Sequence, residues 1–303
     1  MSDGEQVVDC LIVGAGPAGL TAAIYLGRYR RNVVLIDSND SRASLIPKTH
    51  NYPGFASGIS GPDLLKTLRK QAYAYGITVG QGLVRSIATD PSGSFTAEST
   101  LGPILARRVI LATGLIDKDL PVPGLRSAID EGLLRYCPIC DGYEAMNQRI
   151  CVIGRAEDAS NKALFLRTYS RDVTLLCPDS TPCDSIIAER LTRAGVRVIN
   201  AAVLDIRRLD GDIVLNLGNQ TEEIFDVVYP ALGCSVRSEL ATALGARHND
   251  VGCLETDNHQ RTAVDGIYAI GDVVSDLHQM AVGTGHAAIA ATHIHNNLSR
   301  NLV

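Results

Sequence analysis

At 303 residues the chain has room for two domains of about 100–200 residues each, and 46% hydrophobic with 20% charged residues is the balance of a soluble globular protein. A formal net charge of −5 argues against general affinity for phosphate backbones or anionic membranes, and 5% aromatic residues with no Trp argue against a base-stacking nucleic-acid platform. No apolar run reaches the roughly 18 residues that a membrane span needs, and Met1–Gln6 has neither a basic n-region nor a signal-peptide core, so the cytoplasm is the expected location.

Residues 7–13 read as a buried strand. The glycine turn Gly14-Ala15-Gly16-Pro17-Ala18-Gly19 follows. Pro17 to Arg28 is a predicted helix with Leu20, Ala23, Ile24 and Gly27 on one face, and Asn32 to Ile36 is a second apolar strand that ends at Asp37. This is a βαβ unit, and it implies a parallel, doubly wound sheet. Residues 47–62, rich in Pro and Gly, form a long connection, and Asp63 to Tyr75 is a helix. Strands are expected near 77–88, 94–98 and 104–111, with Pro91-Ser92-Gly93 as a turn. Thr113-Gly114 and the proline-rich stretch 121–124 mark a domain junction. The pattern then restarts: Arg149 to Ile153 as a strand, 157–168 as a helix and 172–176 as a strand, an internal repeat that runs to about residue 235. Gly266 to Val273 is a strand ending in Gly271-Asp272, and a terminal helix runs from about Gly283 to Asn297. The expected fold is α/β, with two Rossmann-like dinucleotide-binding domains built on parallel sheets in three layers. The first domain is discontinuous (1–117 and 241–303) and the second spans 118–240.

In the first unit the glycines have separable duties. Gly14 allows the tight turn, Gly16 lets a pyrophosphate approach the backbone, and Gly19 lets helix and strand pack closely. The helix N-terminus offers amide donors to phosphates, and Asp37, at about the 20-residue spacing of such sites, would accept from ribose hydroxyls. Between the two units stands Cys137-Pro138-Ile139-Cys140, followed at once by Asp141. Two cysteines at this spacing can close a small disulfide ring and store two electrons, and the adjoining acid can hand a proton to a departing thiolate. Half a zinc site is the other reading of CxxC. It needs a second ligand pair, and His293 and His295, two apart in a helix, face different sides. Of the remaining cysteines, Cys10 and Cys151 fall in buried strands. Cys177 and Cys183 flank a short loop and could form a second thiol pair, though the default reading leaves them unbridged; Cys234 and Cys253 also lie outside the CxxC.

GAGPAG at 14–19, His50-Asn51-Tyr52-Pro53-Gly54, Ala112-Thr113-Gly114, Val122-Pro123-Gly124, CPICDG at 137–142, Gly271-Asp272-Val273 and Gln279-Met280-Ala281 stand in the order found in the low-molecular-weight thioredoxin reductases. The chain resembles that family, within the class II pyridine nucleotide-disulfide oxidoreductase flavoproteins, over nearly its whole length. The resemblance implies FAD on Gly14, Gly16, Pro17, Ala18, Gly19, Asp37, Asn51, Thr113, Gly114, Gly271, Asp272, Gln279, Met280 and Ala281. It makes Cys137 the interchange thiol, Cys140 the thiol nearest the flavin and Asp141 the proton donor and acceptor. It also implies a thioredoxin-like protein or another disulfide as partner, a homodimer, no metal, and a domain rotation that carries CxxC between flavin and solvent.

The second dinucleotide motif departs from the family. Gly154-Arg155-Ala156-Glu157-Asp158-Ala159 keeps Gly154 and Ala159 but places a methyl at Ala156, where backbone should approach pyrophosphate, and an acid directly after it. Cys177, Pro178 and Asp179 stand where basic residues would hold a 2′-phosphate. NADPH is therefore disfavoured as the direct donor, and Asp179 could instead accept from an adenosine ribose of NADH. The chain resembles the members that lack the NADPH motif, some linked to ferredoxin and some holding a second FAD in the vacated cleft. No long aromatic C-terminal tail is expected over the flavin. Arg28-Tyr29-Arg30-Arg31 and Arg107-Arg108 read either as a dock for an acidic donor or as solvated charge. Three alternatives stay open: an ordinary NADPH-dependent thioredoxin reductase, an oxygen-using oxidase of small dithiols, and a redox-sensing flavoprotein without turnover.

Overall fold

The computed structural model describes residues 7–91, 93–178 and 183–302. Met1–Gln6, Ser92 of the predicted turn and Asp179 of the second motif lie outside the described residues. Strand β1 (Val8–Val13) is apolar nearly throughout because it runs inside a sheet, between two parallel neighbours. Helix α1 (Pro17–Arg28) opens with Pro, whose missing N–H is no loss in a first turn, and β2 (Val33–Asp37) returns parallel to β1. After a 3-10 turn at Arg42–Leu45 comes α2 (Gly61–Tyr73). It starts two residues before the expected Asp63, because Ser60 caps it by accepting the Asp63 N–H at 3.1 Å and Pro62 fits its first turn.

The single strand expected at 77–88 is two. Strand β3 (Val79–Gln81) pairs parallel with β2, while β4 (Val84–Thr89) pairs antiparallel with β5 (Phe95–Ser99). Gly82 ends the first by donating its N–H to the Asp37 carbonyl at 2.9 Å. Strand β6 (Gly102–Leu111) closes this antiparallel meander and then continues beside β1. Strand β7 (Leu115–Asp117) leads to α3 (Leu125–Asp130) and the one-turn helix α4 (Pro138–Asp141).

The second βαβ unit follows as β8 (Ile150–Ile153), α5 (Ala156–Leu166) and β9 (Val173–Cys177), with α6 (Ser185–Arg193) and β10 (Arg197–Asn200) extending it. A three-stranded meander comes next, β11 (Val203–Leu209), β12 (Asp212–Leu217) and β13 (Glu222–Phe225). Then β14 (Val227–Pro230) lies parallel to β8, giving the order β10-β9-β8-β14. Strand β15 (Cys234–Val236) pairs antiparallel with β7, so the outgoing and returning connections form one ribbon. After α7 (Glu239–Thr242), strand β16 (Ile267–Ala269) joins β6 in the first sheet, and α8 (Met280–Asn297) packs on α1. The first unit is thus discontinuous, and the architecture is the expected α/β fold of two Rossmann-like units.

Cys10 and Cys151 are fully buried, where desolvation pushes both thiols far up and leaves them inert. In the basic run at 28–31, Arg28 and Arg30 are exposed and Arg31 turns inward. Arg31 is buried and donates to the Ser299 carbonyl at 2.9 Å, the His295 carbonyl at 2.8 Å and His295 Nδ1 at 3.0 Å, so it fastens the end of α8 to the end of α1. His295 stacks on Tyr29, while His293 Nδ1 meets the Tyr268 hydroxyl at 2.8 Å, so the two rings face different neighbours. No helix among the described residues is long and apolar enough to cross a membrane.

Candidate active site: a cavity closed by a disulfide

The end of β1 runs into the first glycine turn, and the backbone there leaves no choice of residue. Gly14 has φ +102°, and a Cβ on it would sit 2.4 Å from the Ala112 carbonyl oxygen. A Cβ on Gly19 would sit 1.9 Å from the Gly14 oxygen, so Gly19 closes α1 onto β1 and does not itself line the cavity. A Cβ on Gly16 would meet only the Ser41 hydroxyl, at 3.3 Å, and Gly16 lines the cavity with Gly14, Pro17 and Ala18. Asp37 is buried. Its Oδ1 accepts the Ala15 N–H at 2.9 Å and its Oδ2 accepts from Arg69 at 3.2 Å, so it fastens the glycine turn as well as lining the cavity.

The cavity measures about 840 Å³, in the upper part of the range for small-molecule sites. Thr113 and Gly114 after β6, Gly271 and Asp272 after β16, and Gln279 and Met280 at the start of α8 all line it. Ala281 does not. Asn51 stands behind Gln279, donating to its Oε1 at 2.9 Å. Helix α8 begins three residues earlier than expected, which brings its N-terminal end to the cavity wall.

Sequence reasoning missed Arg42. Its guanidinium grips Asp117 at 2.6 and 2.9 Å and reaches Asp272 Oδ2 at 3.1 Å, on the cavity wall. Burial opposes its charge, and the two carboxylates more than offset burial. No local signal marks this residue, because its partners lie 75 and 230 positions away.

The redox centre lines the same cavity as the glycine turn. Cys137 and Cys140 are joined as a disulfide, the one found among the described residues. Cys137 caps α4, its Sγ accepting the Cys140 N–H at 3.2 Å. Both sulfurs face the cavity, and Gln279 Nε2 lies 3.4 Å from each, so a side chain of the first unit touches the disulfide carried by the second. Asp141 also lines the cavity. Burial pushes its carboxyl up to about 6, against an opposing hydrogen bond from the Tyr229 hydroxyl at 2.8 Å. Lys162, on α5, donates to the Tyr136 and Pro230 carbonyls at 3.0 and 2.7 Å, and burial brings it down to about 8. Tyr229 and Lys162 carry no sequence signal: one reads as strand core and the other as a helix charge.

The second glycine motif corrects one expectation. Gly154 repeats the role of Gly14, since a Cβ there would lie 2.5 Å from the Ala231 oxygen. The Ala156 methyl, expected to crowd a pyrophosphate, is instead buried in the core beside Ala159 and Ala163. Helix α5 starts at Ala156, one place earlier in its motif than α1 does, and this turns the side chain inward. Glu157 and Asp158 occupy the first turn of α5, where carboxylates already satisfy the helix dipole that would attract a phosphate. Pro178 follows β9 directly. The nearby Cys183 thiol is pushed up by burial and by Glu157 and Asp184.

Residues 8–292 match the family model of the pyridine nucleotide-disulphide oxidoreductases. A thioredoxin reductase of Treponema pallidum (strain Nichols) is 32% identical over 298 residues, covering 95% of this chain and 96% of its own. The crystal structure of thioredoxin reductase from Streptococcus pyogenes MGAS5005 is similar with a TM-score of 0.89 at 27% identity, over 97% of this chain and 98% of its own. The crystal structure of Lactococcus lactis thioredoxin reductase in an FR conformation, 28% identical, covers 95% and 98%, yet its TM-score is 0.61.

Proposed function

We propose that this chain, which belongs to the pyridine nucleotide-disulphide oxidoreductase family, is an FAD-dependent dithiol–disulfide oxidoreductase of thioredoxin-reductase type whose electrons do not come directly from NADPH. The observation that carries the donor assignment is the acidic first turn of α5. A nicotinamide dinucleotide would have to seat its pyrophosphate against Glu157 and Asp158. Arg155, within 3.8 Å of Glu157, offsets part of this charge. Each charge-assisted bond to the 2′-phosphate that is missing forgoes roughly 1.5–3 kcal/mol.

The cavity fits FAD. Its glycine turn and α1 N-terminus suit a pyrophosphate, Asp37 and Asp272 offer carboxylates to sugar and ribityl hydroxyls, and the disulfide borders the same space. When bound, FAD supplies a two-electron couple beside the sulfurs. The chain's own part is exchange. An incoming thiolate attacks Cys137 Sγ and forms a mixed disulfide, the Cys137–Cys140 bond breaks, and Cys140 leaves with the electron pair. The Asp141 carboxyl gives it a proton. The second thiol of a dithiol then attacks the mixed disulfide and releases Cys137, so the dithiol is oxidised by two electrons and the protein disulfide reduced. With a disulfide partner the same steps run in reverse: Asp141 takes the proton from the Cys140 thiol, the Cys137–Cys140 bond re-forms, and the partner is reduced by two electrons.

The partner we assign is a thioredoxin-like protein or another disulfide, as the names of the relatives suggest, with ferredoxin or a second FAD in the altered cleft serving the donor side. We place the domain boundaries at 117/118, at the end of β7, and at 240/241, within α7 shortly after β15, and the working form as a cytoplasmic homodimer. Cys137 and Cys140 face the cavity here, so a protein partner needs them turned outward. The low TM-score against the FR form, at nearly full coverage of both chains, supports a second arrangement of the same parts.

Anaerobic titration of the purified yellow protein tests the donor. NADPH and then NADH at stoichiometric amounts leave the visible absorbance of the flavin unchanged, and dithiothreitol bleaches it. Rapid bleaching by NADPH would overturn the donor assignment. Two flavins per chain, not one, would put the second in the altered cleft.

A further inference from the structure

We propose that Tyr229 is the positioning residue of Asp141: its buried phenol, 2.8 Å from Asp141 Oδ1, fixes that carboxyl beside the disulfide and sets the pH window in which it trades a proton with Cys140. The inference rests on the reading of Asp141 as the proton carrier.

Tyr229 is the largest fully buried side chain among the described residues, and it lies in an apolar cluster with Val152, Leu166 and Leu175. A phenol in such surroundings needs a partner for its O–H. Here the partner is Asp141: Oδ1 at 2.8 Å, with the Asp141 carbonyl at 3.3 Å. The frame around the pair is rigid. Tyr229 is held in register opposite Val152 on one side of β14. On the other side, Leu133 and Arg135 exchange backbone hydrogen bonds with Val228 at 2.8 and 2.9 Å. That same segment runs directly into Cys137. Strand and redox loop therefore move as one body, and the hydroxyl follows the carboxyl wherever the second domain goes.

The charges facing Asp141 come from three other places. Arg135, on the loop before α4, and Lys162, on α5, favour the ionised carboxylate, while Glu144, on the 3-10 turn after α4, disfavours it. Lys162 in turn faces Asp117 and Arg42. The intact disulfide carries no charge. Burial is the dominant effect and favours the protonated acid, and the Tyr229 hydrogen bond opposes it. Without that bond the carboxyl would be a weaker acid. It would give its proton to the departing Cys140 thiolate less readily, and the fraction left protonated could not accept one when the exchange reverses. The hydrogen bond moves the carboxyl's proton exchange to lower pH.

The test uses the FAD-loaded full chain, with Tyr229→Phe, Asp141→Asn and the wild type compared in two ways. Infrared titration of the oxidised protein locates the Asp141 carboxyl as the band missing in Asp141→Asn. In Tyr229→Phe its midpoint is expected to rise by about one pH unit, the shift that loss of a hydrogen bond of roughly 1.5 kcal/mol gives. The alkaline limb of the rate of disulfide reduction by dithiothreitol should move up by the same amount. Incorporating 3-fluorotyrosine at position 229, a stronger donor that keeps the packing, should move both midpoints down. An unmoved infrared midpoint in both variants overturns the role of Tyr229. A moved midpoint combined with wild-type exchange rates in Asp141→Asn would sink the proton-carrier reading of Asp141, leaving the contact without a part in exchange.

Discussion

Asp141→Asn is expected to slow reduction of the Cys137–Cys140 disulfide by dithiothreitol about 10²–10⁴-fold at neutral pH, and at the same time to stabilise the protein. The two effects have one cause. The carboxyl titrates at about 6 in the fold against a reference value of 3.8, chiefly because it is buried. A folded state that holds a proton more tightly than the unfolded chain is favoured at low pH. Its advantage is fully present below about pH 4, is lost as pH rises toward 6, and is flat above. At neutral pH the buried charge therefore costs up to about 3 kcal/mol, from a shift of a little over two units at 1.36 kcal/mol each. Asparagine removes the charge while its amide oxygen still accepts from Tyr229. Denaturant unfolding at pH 7.5 should show the gain, and the same measurement at pH 4 should show almost none. A purely structural Asp141 would give stabilisation with unchanged exchange kinetics, and that outcome would remove the proton transfer from the mechanism.

The residues that sequence reasoning found and those it missed differ in how far their partners stand along the chain. The first βαβ unit was legible because a backbone carbonyl 1.9 Å from a would-be Cβ permits nothing but glycine at position 19. The disulfide was legible because its two halves are three residues apart. Tyr229 was not, because its meaning lies in a carboxyl 88 positions away and its local pattern is that of any core strand. Arg31 shows the converse. It sits in a run of charge that reads as solvated or as a docking patch, and one turn of backbone directs it into the protein. The segment 77–88 keeps its apolar residues through a change of partner at Gly82, so spacing alone reads one strand where pairing makes two. At Ala156 the sequence counts a methyl correctly, and the register of α5 decides that it points to the core. The proposal that NADPH is not the donor therefore rests on charge and not on shape.

Two glycine substitutions separate the framework of the first site from its contact with the nucleotide. In Gly19→Ala the new methyl meets the Gly14 carbonyl at 1.9 Å and the Ala112 side chain at 3.1 Å. Backbone must move, and α1 is lifted from β1 at a cost at or above the ~1–3 kcal/mol usual for overpacking. Because α1 carries the amides that would hold the pyrophosphate, this variant should lose both its melting temperature and its flavin. In Gly16→Ala the methyl meets only the Ser41 hydroxyl at 3.3 Å, a group that can swing aside, so the apoprotein should fold normally. The methyl nevertheless stands on the cavity wall, where backbone has to approach the pyrophosphate. This variant should purify colourless, or lose its yellow colour on gel filtration, with unfolding of the apoprotein unchanged within about 0.5 kcal/mol. Flavin content and thermal unfolding measured on both variants give a two-by-two pattern. If Gly16→Ala retains full flavin, the pyrophosphate does not pass over this turn, and the cavity holds its ligand in another orientation. If Gly19→Ala keeps both flavin and stability, the close crossing of α1 and β1 is not what positions the site.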